Sequence, residues 1–453
     1  MKKLIITYFL FVFFPLFSLG QIEVKISNCR DRIFYLQQFK GDRFYKIDST
    51  EIKNGKLKYL IKKNIVPGMY RISDGKNGFV FFVDEPDIDF ETQWPAMQDS
   101  LKIIKSEENK IYYSYISFRN ETNKKLELLS PVLTWYPKNT EFYKTAYHEF
   151  DQVQNKLHIW ADSIIKHHPK ALVSKMIKID MKPFVPPDLQ IEEQKKYFQN
   201  HWFDNVDFND TSLIYSDIFI EKITDFLGLF SDQNMSKAEL EQEFSFAVDK
   251  ILQLTFDNDK MYAFVFNYLV QGFEHYHFDE VLLHIATNYN VPGQCENNDE
   301  DSDIYQRLEK YKKMAVGNVV PDIVLPNIEG KIMSLSKINA NYKLVLFWSS
   351  KCSHCMRLLP KLKKWYKNID NKNLVIFSVS LDDNKENLEQ ALTMLNLPWT
   401  VVTDFNGWDN AAAIDYNIYA TPTMFLLDKN NKILAKPITY NGLKRSVKKN
   451  GIK

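Results

Sequence analysis

Directly after the apolar run Leu344-Val345-Leu346-Phe347-Trp348 the chain carries Cys352-Ser353-His354-Cys355, and from Ser353 to about Tyr366 its apolar residues fall at helical spacing. A short apolar run of this kind reads as a buried strand. Cys352 then stands at the mouth of a helix, where unpaired backbone N–H groups and the helix dipole favour an anion. A thiolate in that place has a lowered pKa and is a better nucleophile and leaving group. Cys355 lies one turn deeper on the same face. It is placed to attack a mixed disulfide at Cys352, so the pair is expected to cycle between dithiol and disulfide. Lys351 and His354 flank the first cysteine with positive charge, which favours its thiolate. The competing readings are a zinc half-site and a plain structural disulfide. Zinc needs a second ligand pair, and no second Cys-x-x-Cys or well-spaced histidine pair accompanies this one.

The surroundings alternate in period. Leu374 to Val379 reads as a strand, 384–396 as a helix and Thr400-Val401-Val402 as a strand. Met424-Phe425-Leu426-Leu427 and Ile433-Leu434-Ala435 read as a hairpin around Asp428-Lys429-Asn430-Asn431. Such alternation predicts a mixed sheet flanked by helices over 315–453. Residues 21–98 have a different texture. Short apolar runs such as Ile33 to Leu36, Phe44 to Ile47, Leu57 to Leu60, Met69 to Ile72 and Phe79 to Val83 are separated by Asn54-Gly55, Pro67-Gly68, Asp74-Gly75 and Asn77-Gly78. These turns predict an all-β domain, a small antiparallel sandwich or barrel. From 99 to 314 apolar residues recur at helical spacing, as at Phe244, Val248, Ile251 and Leu252, broken once by Pro183, Pro186 and Pro187. The middle region is expected to be mostly α, with Trp135 and Trp160 in its core and the acidic stretch Glu296 to Asp303 as a solvated loop.

At 453 residues the chain has room for two to four domains of roughly 100–200 residues each. Lys plus Arg is 58 and Asp plus Glu is 57, which leaves no basic footprint for nucleic acid. Only 14 glycines argue against Gly-rich cofactor loops, and four cysteines are too few for a disulfide scaffold. Residues 1–20 carry Lys2 and Lys3, an apolar run from Leu4, and small Ser18 and Gly20 before Gln21. This is the pattern of a cleaved secretory signal peptide. An uncleaved anchor competes, but the run is short for a span and Pro15 interrupts it. The mature chain, with no integral membrane span, is expected in an oxidising periplasm or cell envelope.

Several residues beyond the cysteines resemble the thioredoxin superfamily, in particular its TlpA- and ResA-like envelope branch. Phe347-Trp348 precedes the motif as in that family's F-W-x-x-x-C-x-x-C, Pro360 follows five residues after Cys355, and Thr421-Pro422-Thr423 stands where the family has its cis-proline. Gly317 to Leu325 resembles the branch's added N-terminal hairpin. The resemblance implies a thiol–disulfide oxidoreductase with Cys352 as nucleophile and Cys355 as resolving thiol. It implies tuning or groove roles for His354, Lys351, Trp348, Thr421 and Pro422, and no cofactor or metal. Its implied partners are protein thiols and disulfides and a membrane electron donor, and its implied role is that of a reductase serving cytochrome c maturation. Two departures stand out: Leu346 replaces the buried acid of thioredoxins, and Leu358 replaces the glutamate of the ResA-like branch. Glu389 or Asp404 is then the expected substitute proton acceptor. The peroxiredoxin pattern P-x-x-x-T-x-x-C is missing around Cys352. Asp48-Ser49-Thr50 and Pro67 to Tyr70 resemble a β domain of unknown function found before thioredoxin modules in Bacteroidetes. Asn109 and the stretch from His201 to Phe208 resemble the helical domain found between the two.

Two weaker signals remain. Glu274, His275, His277, Glu280 and His284 cluster in one segment, where solvated or satisfied side chains outweigh a metal site. Cys29 and Cys295 either pair or stay as separate thiols. A partner- or glycan-binding envelope protein, with the redox centre secondary or regulatory, is the alternative reading of the whole chain.

Overall fold

Alternating burial along the strands sets the architecture of the N-terminal region. The computed structural model describes residues 20–61, 65–186, 189–290, 299–369 and 373–452. Residues 1–19 of the expected signal peptide, Pro187 and Cys295 lie outside the described residues. The chain divides into two units, Met1–Val265 and Phe266–Lys453.

In the first unit, eight strands form two four-stranded sheets. They are β1 (Gln21–Ser27), β2 (Ile33–Lys40), β3 (Arg43–Glu51), β4 (Lys56–Leu60), β5 (Gly68–Ser73), β6 (Gly78–Val83), β7 (Asp87–Gln93) and β8 (Lys102–Lys105). The sheet orders are β4-β1-β7-β8 and β3-β2-β5-β6. Ile22, Val24 and Ile26 of β1 face the same core as Phe34, Tyr70, Phe79 and Phe81 of the other sheet, so the region is a sandwich. The expected all-antiparallel pairing is corrected at one place: β1 and β7 run parallel. That pairing joins segments separated by the whole second sheet, so no local turn announces it. The outer edge of β6 is covered by side chains. Asn109 Nδ2 donates to Phe82 O at 2.9 Å and Phe82 N donates to Asn109 Oδ1 at 2.8 Å. The Tyr113 hydroxyl donates to Val80 O. An amide that mimics a neighbouring strand closes an edge that would otherwise be open to pairing.

The helices of this unit are α1 (Glu107–Trp135), α2 (Glu141–His167), α3 (Leu172–Asp180), α4 (Ile191–His201), α5 (Ile218–Gly228) and α6 (Lys237–Gln253). Ser106 caps α1 by accepting from Asn109 N at 3.1 Å. Buried Glu108 accepts from Leu172 N and Val173 N, so one carboxylate satisfies two free donors at the start of α3. Val248, Ile251 and Leu252 are fully buried, as their spacing predicts. Trp135 corrects the reading of it as core. It is 81% exposed in the last turn of α1, where the adjoining residues are exposed or half-buried. Trp160 is half-buried and stacks on Tyr115.

Helix α7 (Asp259–His275) runs from the first unit into the second. There follow α8 (Asp279–Asn288), α9 (Asp299–Lys313), and the hairpin β9 (Val324–Pro326) and β10 (Ile332–Ser334). Residues 299–303 open α9 rather than forming a loop, which corrects the reading of the acidic stretch there, while 296–298 lie outside the described residues. Next come β11 (Tyr342–Trp348), α10 (Ser353–Tyr366), β12 (Leu374–Ser380), α11 (Lys385–Leu395), β13 (Thr400–Val402), α12 (Ala411–Asp415), β14 (Thr423–Asp428), β15 (Ile433–Ala435) and α13 (Tyr440–Lys449). The sheet order is β13-β12-β11-β14-β15, with β11, β12 and β13 parallel and β14 antiparallel to β11. One face of the sheet packs on α10, α11 and α13 through Leu359, Leu362, Leu388 and Leu443. The other packs on α12 through Ala412 and Ala413. Strand β11 is central and buried from Lys343 to Trp348, so whatever follows its carboxyl end sits where open α/β sheets hold their sites.

Candidate active site

Three residues, Ser349 to Lys351, lead from the end of β11 into α10. Their path is held from the neighbouring parallel strand. Asp382, just past β12 and 1% exposed, accepts from Ser349 Oγ at 3.1 Å, Ser350 N at 3.1 Å, and Ser350 Oγ and Ser380 Oγ at 2.6 Å each. Leu381 N donates to Trp348 O at 2.8 Å and ties the two strand ends together.

Cys352 is the N-cap of α10, with extended backbone at φ −87° and ψ 110°. Its sulfur takes the place of the usual capping oxygen and accepts from Cys355 N at 3.2 Å. Burial works against a charge on Cys352. Hydrogen bonds from the Cys355 thiol, the Thr421 hydroxyl and the backbone N–H groups of Cys355 and His354 outweigh it and hold the thiol below its ordinary 9.0. Cys355 has no exposed surface and lies in an apolar cluster with Leu346, Trp348, Leu358 and Leu359. Burial, and then the neighbouring Cys352, push this thiol up to about 12. The backbone of Ser349 bonds to the Cys355 sulfur, so the loop held by Asp382 also touches the second thiol. Opposite the pair, the Thr421–Pro422 peptide is cis, and the Cys352 thiol donates to Thr421 O at 3.3 Å. The arrangement is one half-exposed thiol poised to ionise and one buried thiol kept protonated behind it. This asymmetry suits stepwise disulfide exchange.

Residues 316–436 match the AhpC/TSA family. Over 135 residues the chain is 29% identical to thiol-disulfide oxidoreductase ResA of Geobacillus thermodenitrificans, covering 30% of this chain and 75% of that protein. The C-terminal region is a thioredoxin-like domain of thiol–disulfide oxidoreductase type. ResA of Bacillus subtilis is 23% identical over 123 residues, 27% of this chain and 67% of that one. A thiol-disulfide oxidoreductase from Bacteroides fragilis is 35% identical, with 29% of this chain and 98% of that chain covered and a TM-score of 0.27. A thioredoxin-like protein from Bacteroides caccae is 20% identical, covering 59% of this chain and 97% of that one, at a TM-score of 0.41. Residues 21–112 and 161–280 match two domains of unknown function, DUF4369 and DUF5106.

Within this thioredoxin-like oxidoreductase the remaining sequence expectations fall out unevenly. Leu346 and Leu358 are both buried beside Cys355, so the two places where acids were expected to be missing are indeed apolar. Both proposed substitutes have other partners. Glu389 is exposed on α11 beside Lys385, and Asp404 accepts from Asn410 Nδ2 and Ala411 N at the start of α12. Trp348 has no exposed surface, so it lies in the core and not along a groove. Lys351 directs its ammonium to Asp383 at 2.5 Å. His354 meets Cys352 through its main-chain N–H, while its ring Nδ1 accepts from Arg357 at 3.0 Å. The stabilising charge at Cys352 is thus supplied by the helix mouth more than by neighbouring cations. Asp382 and Arg357 are the residues the sequence reading missed. Arg357 was within reach at three residues from His354; Asp382 was not, because only strand pairing brings it close.

The other sequence clusters disperse. Glu274 pairs with Arg307, His277 stacks on Tyr419 and His284 contacts Asn288. Among the described residues no group of three or more potential ligands gathers as a metal site, and no helix is long and apolar enough to cross a membrane. Cys29 is a free thiol whose sulfur donates to Arg30 O.

Proposed function

We propose that Cys352-Ser353-His354-Cys355 is the redox centre of an envelope reductase of protein disulfides. The observation that carries the reading is the asymmetry of the two thiols, lowered at Cys352 and raised at Cys355. The Cys352 thiolate attacks one sulfur of a substrate disulfide. That S–S bond breaks, the departing substrate sulfur takes a proton from water, and a mixed disulfide remains on Cys352. Cys355 gives up its proton and attacks the Cys352 sulfur. The second substrate sulfur leaves and is protonated, and the centre is left oxidised. Two electrons have passed to the substrate. Thr421 and Pro422 form the wall along which an extended substrate segment lies. On this proposal a membrane electron donor then returns the centre to the dithiol and the reductase serves cytochrome c maturation, a reading supported by the likeness to ResA. In an insulin-reduction assay, Cys352→Ser is expected to lower the rate at least about a thousandfold. Equal rates for variant and wild type would reject the reading.

A second reading makes the first unit a binder of a partner or glycan, with the redox centre secondary. One feature favours it. A cavity of about 490 Å³ lies among the helices, walled by Tyr115, Arg119, His158, Asp180, Trp202 and Lys222. Lys222 is 4% exposed, and burial holds its ammonium down to about 8. On this reading, full-length Cys352→Ser still captures the partner, and Arg119→Ala with Lys222→Met loses it. Capture that requires Cys352 would sink it.

A further inference from the structure

Two helices on the Pro422 side of Cys352 carry positive charge only, although the chain as a whole is balanced at 58 Lys plus Arg against 57 Asp plus Glu. Helix α10 bears Arg357, Lys361, Lys363 and Lys364, and α13 bears Lys444, Arg445, Lys448 and Lys449. Neither helix contains an aspartate or glutamate. Between them lies a hollow of about 250 Å³ lined by His354, Arg357, Leu358, Lys361, Pro422 and Tyr440 among others, and no acid lines it. It therefore begins at the wall that faces Cys352 and continues between the two basic helices. Among the described residues, none of these eight cations is ion-paired with a carboxylate. Lys363 donates to Leu395 O, and Lys444 sits over the Tyr440 ring at 4.8 Å. The floor is apolar, from Leu358, Met424 and Tyr440, and the rim is cationic.

We infer that the substrate is a polypeptide whose disulfide is flanked by acidic residues, which the Arg357 and Lys361 rim selects. This rests on the reading that Cys352 exchanges with protein disulfides, and it adds the substrate's charge. The physical case is complementarity. Unpaired cations around a reactive thiol steer acidic segments towards it and repel basic ones, and salt weakens both effects. A solvated basic face with no such role would be indifferent to which residues flank the substrate cystine. A basic face can also meet anionic lipid. The polypeptide is favoured because the cationic rim borders the hollow that reaches Pro422, where a substrate chain must lie for its sulfur to meet Cys352.

The test uses the reduced full-length protein in single turnover against two cystine peptides of one core sequence, one flanked by glutamates and one by lysines. Hydroxyethyl disulfide, which is neutral, normalises each variant. At low salt the acidic peptide is expected to react about tenfold faster than the basic one, with the preference shrinking towards unity above about 0.5 M salt. Arg357→Glu with Lys361→Glu is expected to invert the normalised ratio, and the milder Arg357→Gln with Lys361→Gln to bring it near one. A wild-type ratio near one, or a ratio that neither pair of substitutions moves, overturns the inference. So does sedimentation with phosphatidylglycerol vesicles that the substitutions abolish while the peptide ratio stays near one, because the face would then serve a membrane. If the wild type fails to react with hydroxyethyl disulfide at all, the underlying exchange reading has failed, and the inference falls with it.

Discussion

Release of substrate from the mixed disulfide should speed up close to tenfold with each pH unit between 6 and 9, while its initial capture by Cys352 should bend away from that slope at lower pH. The two steps use different thiols. Capture depends on the Cys352 thiolate, which hydrogen bonds at the mouth of α10 favour, so its fraction begins to level off at a lower pH than that of an ordinary thiol. Release depends on the Cys355 thiolate. In the dithiol, burial and then the neighbouring Cys352 push that group up to about 12. Once Cys352 is tied up in a mixed disulfide its charge and its hydrogen bond to Cys355 are gone. Burial, the larger cause, stays. Cys355 therefore still titrates above its ordinary value, and below that value its thiolate fraction rises about tenfold per pH unit. A carboxylate in contact would flatten this dependence by taking the proton locally, but Leu346 and Leu358 fill the two nearest places with hydrocarbon. Rapid acid quench of the reaction with a cystine peptide, followed by mass analysis, separates the two steps. A release rate that is flat from pH 6 to 9 would mean that a proton acceptor does reach Cys355. Leu358→Glu serves as a positive control, since an acid there is expected to raise release at pH 7 and weaken its pH dependence.

What the sequence made legible was local. The strand, the turn and the helix around Cys352 and Cys355 each follow from periodicity and capping over a few residues, and β11 and α10 fall where those patterns put them. The cis peptide before Pro422 was readable only through resemblance. Charge was misjudged because nearness in sequence is a poor guide to where a long side chain ends. Lys351 stands next to Cys352 yet reaches Asp383, and the ring of His354 meets Arg357. Contacts made through sheet register were invisible for a stronger reason. The parallel pairing of β1 with β7 and the approach of Asp382 to Ser350 both join residues whose closeness depends on several strands having already paired. No window along the chain contains that information. Asn109 makes the same point, since a polar residue in the first turn of α1 gives no sign that it will close the edge of β6.

Asp382→Ala should lower the stability of the second unit by roughly 3–5 kcal/mol and, at the same time, shift the reactivity of Cys352 to higher pH. The carboxylate serves Ser349 Oγ, Ser350 N, Ser350 Oγ and Ser380 Oγ in a place that solvent barely reaches. Each buried donor left without an acceptor costs about 1–3 kcal/mol, offset in part where a hydroxyl turns to another acceptor or water enters. For a unit of this size that loss corresponds to a fall in Tm of roughly 10 °C. The functional effect follows from the same bonds. Ser349 and Ser350 fix the path into α10, Cys352 N donates to Ser349 O at 3.1 Å, and the Ser349 backbone bonds to the Cys355 sulfur. A slack loop loosens the geometry by which Cys355 N and the Thr421 hydroxyl favour the Cys352 thiolate, so its pKa should climb back towards 9.0. Asp382→Asn keeps one accepting oxygen but turns a donor towards Ser350 N, and should fall between the wild type and the alanine variant. Chemical denaturation measures the first effect. The pH profile of iodoacetamide alkylation at Cys352, read under conditions where each variant is folded, measures the second. A purely structural role would lower stability and leave the alkylation profile where it is. That outcome would show that the mouth of the helix holds the Cys352 thiolate without help from the strand beside it.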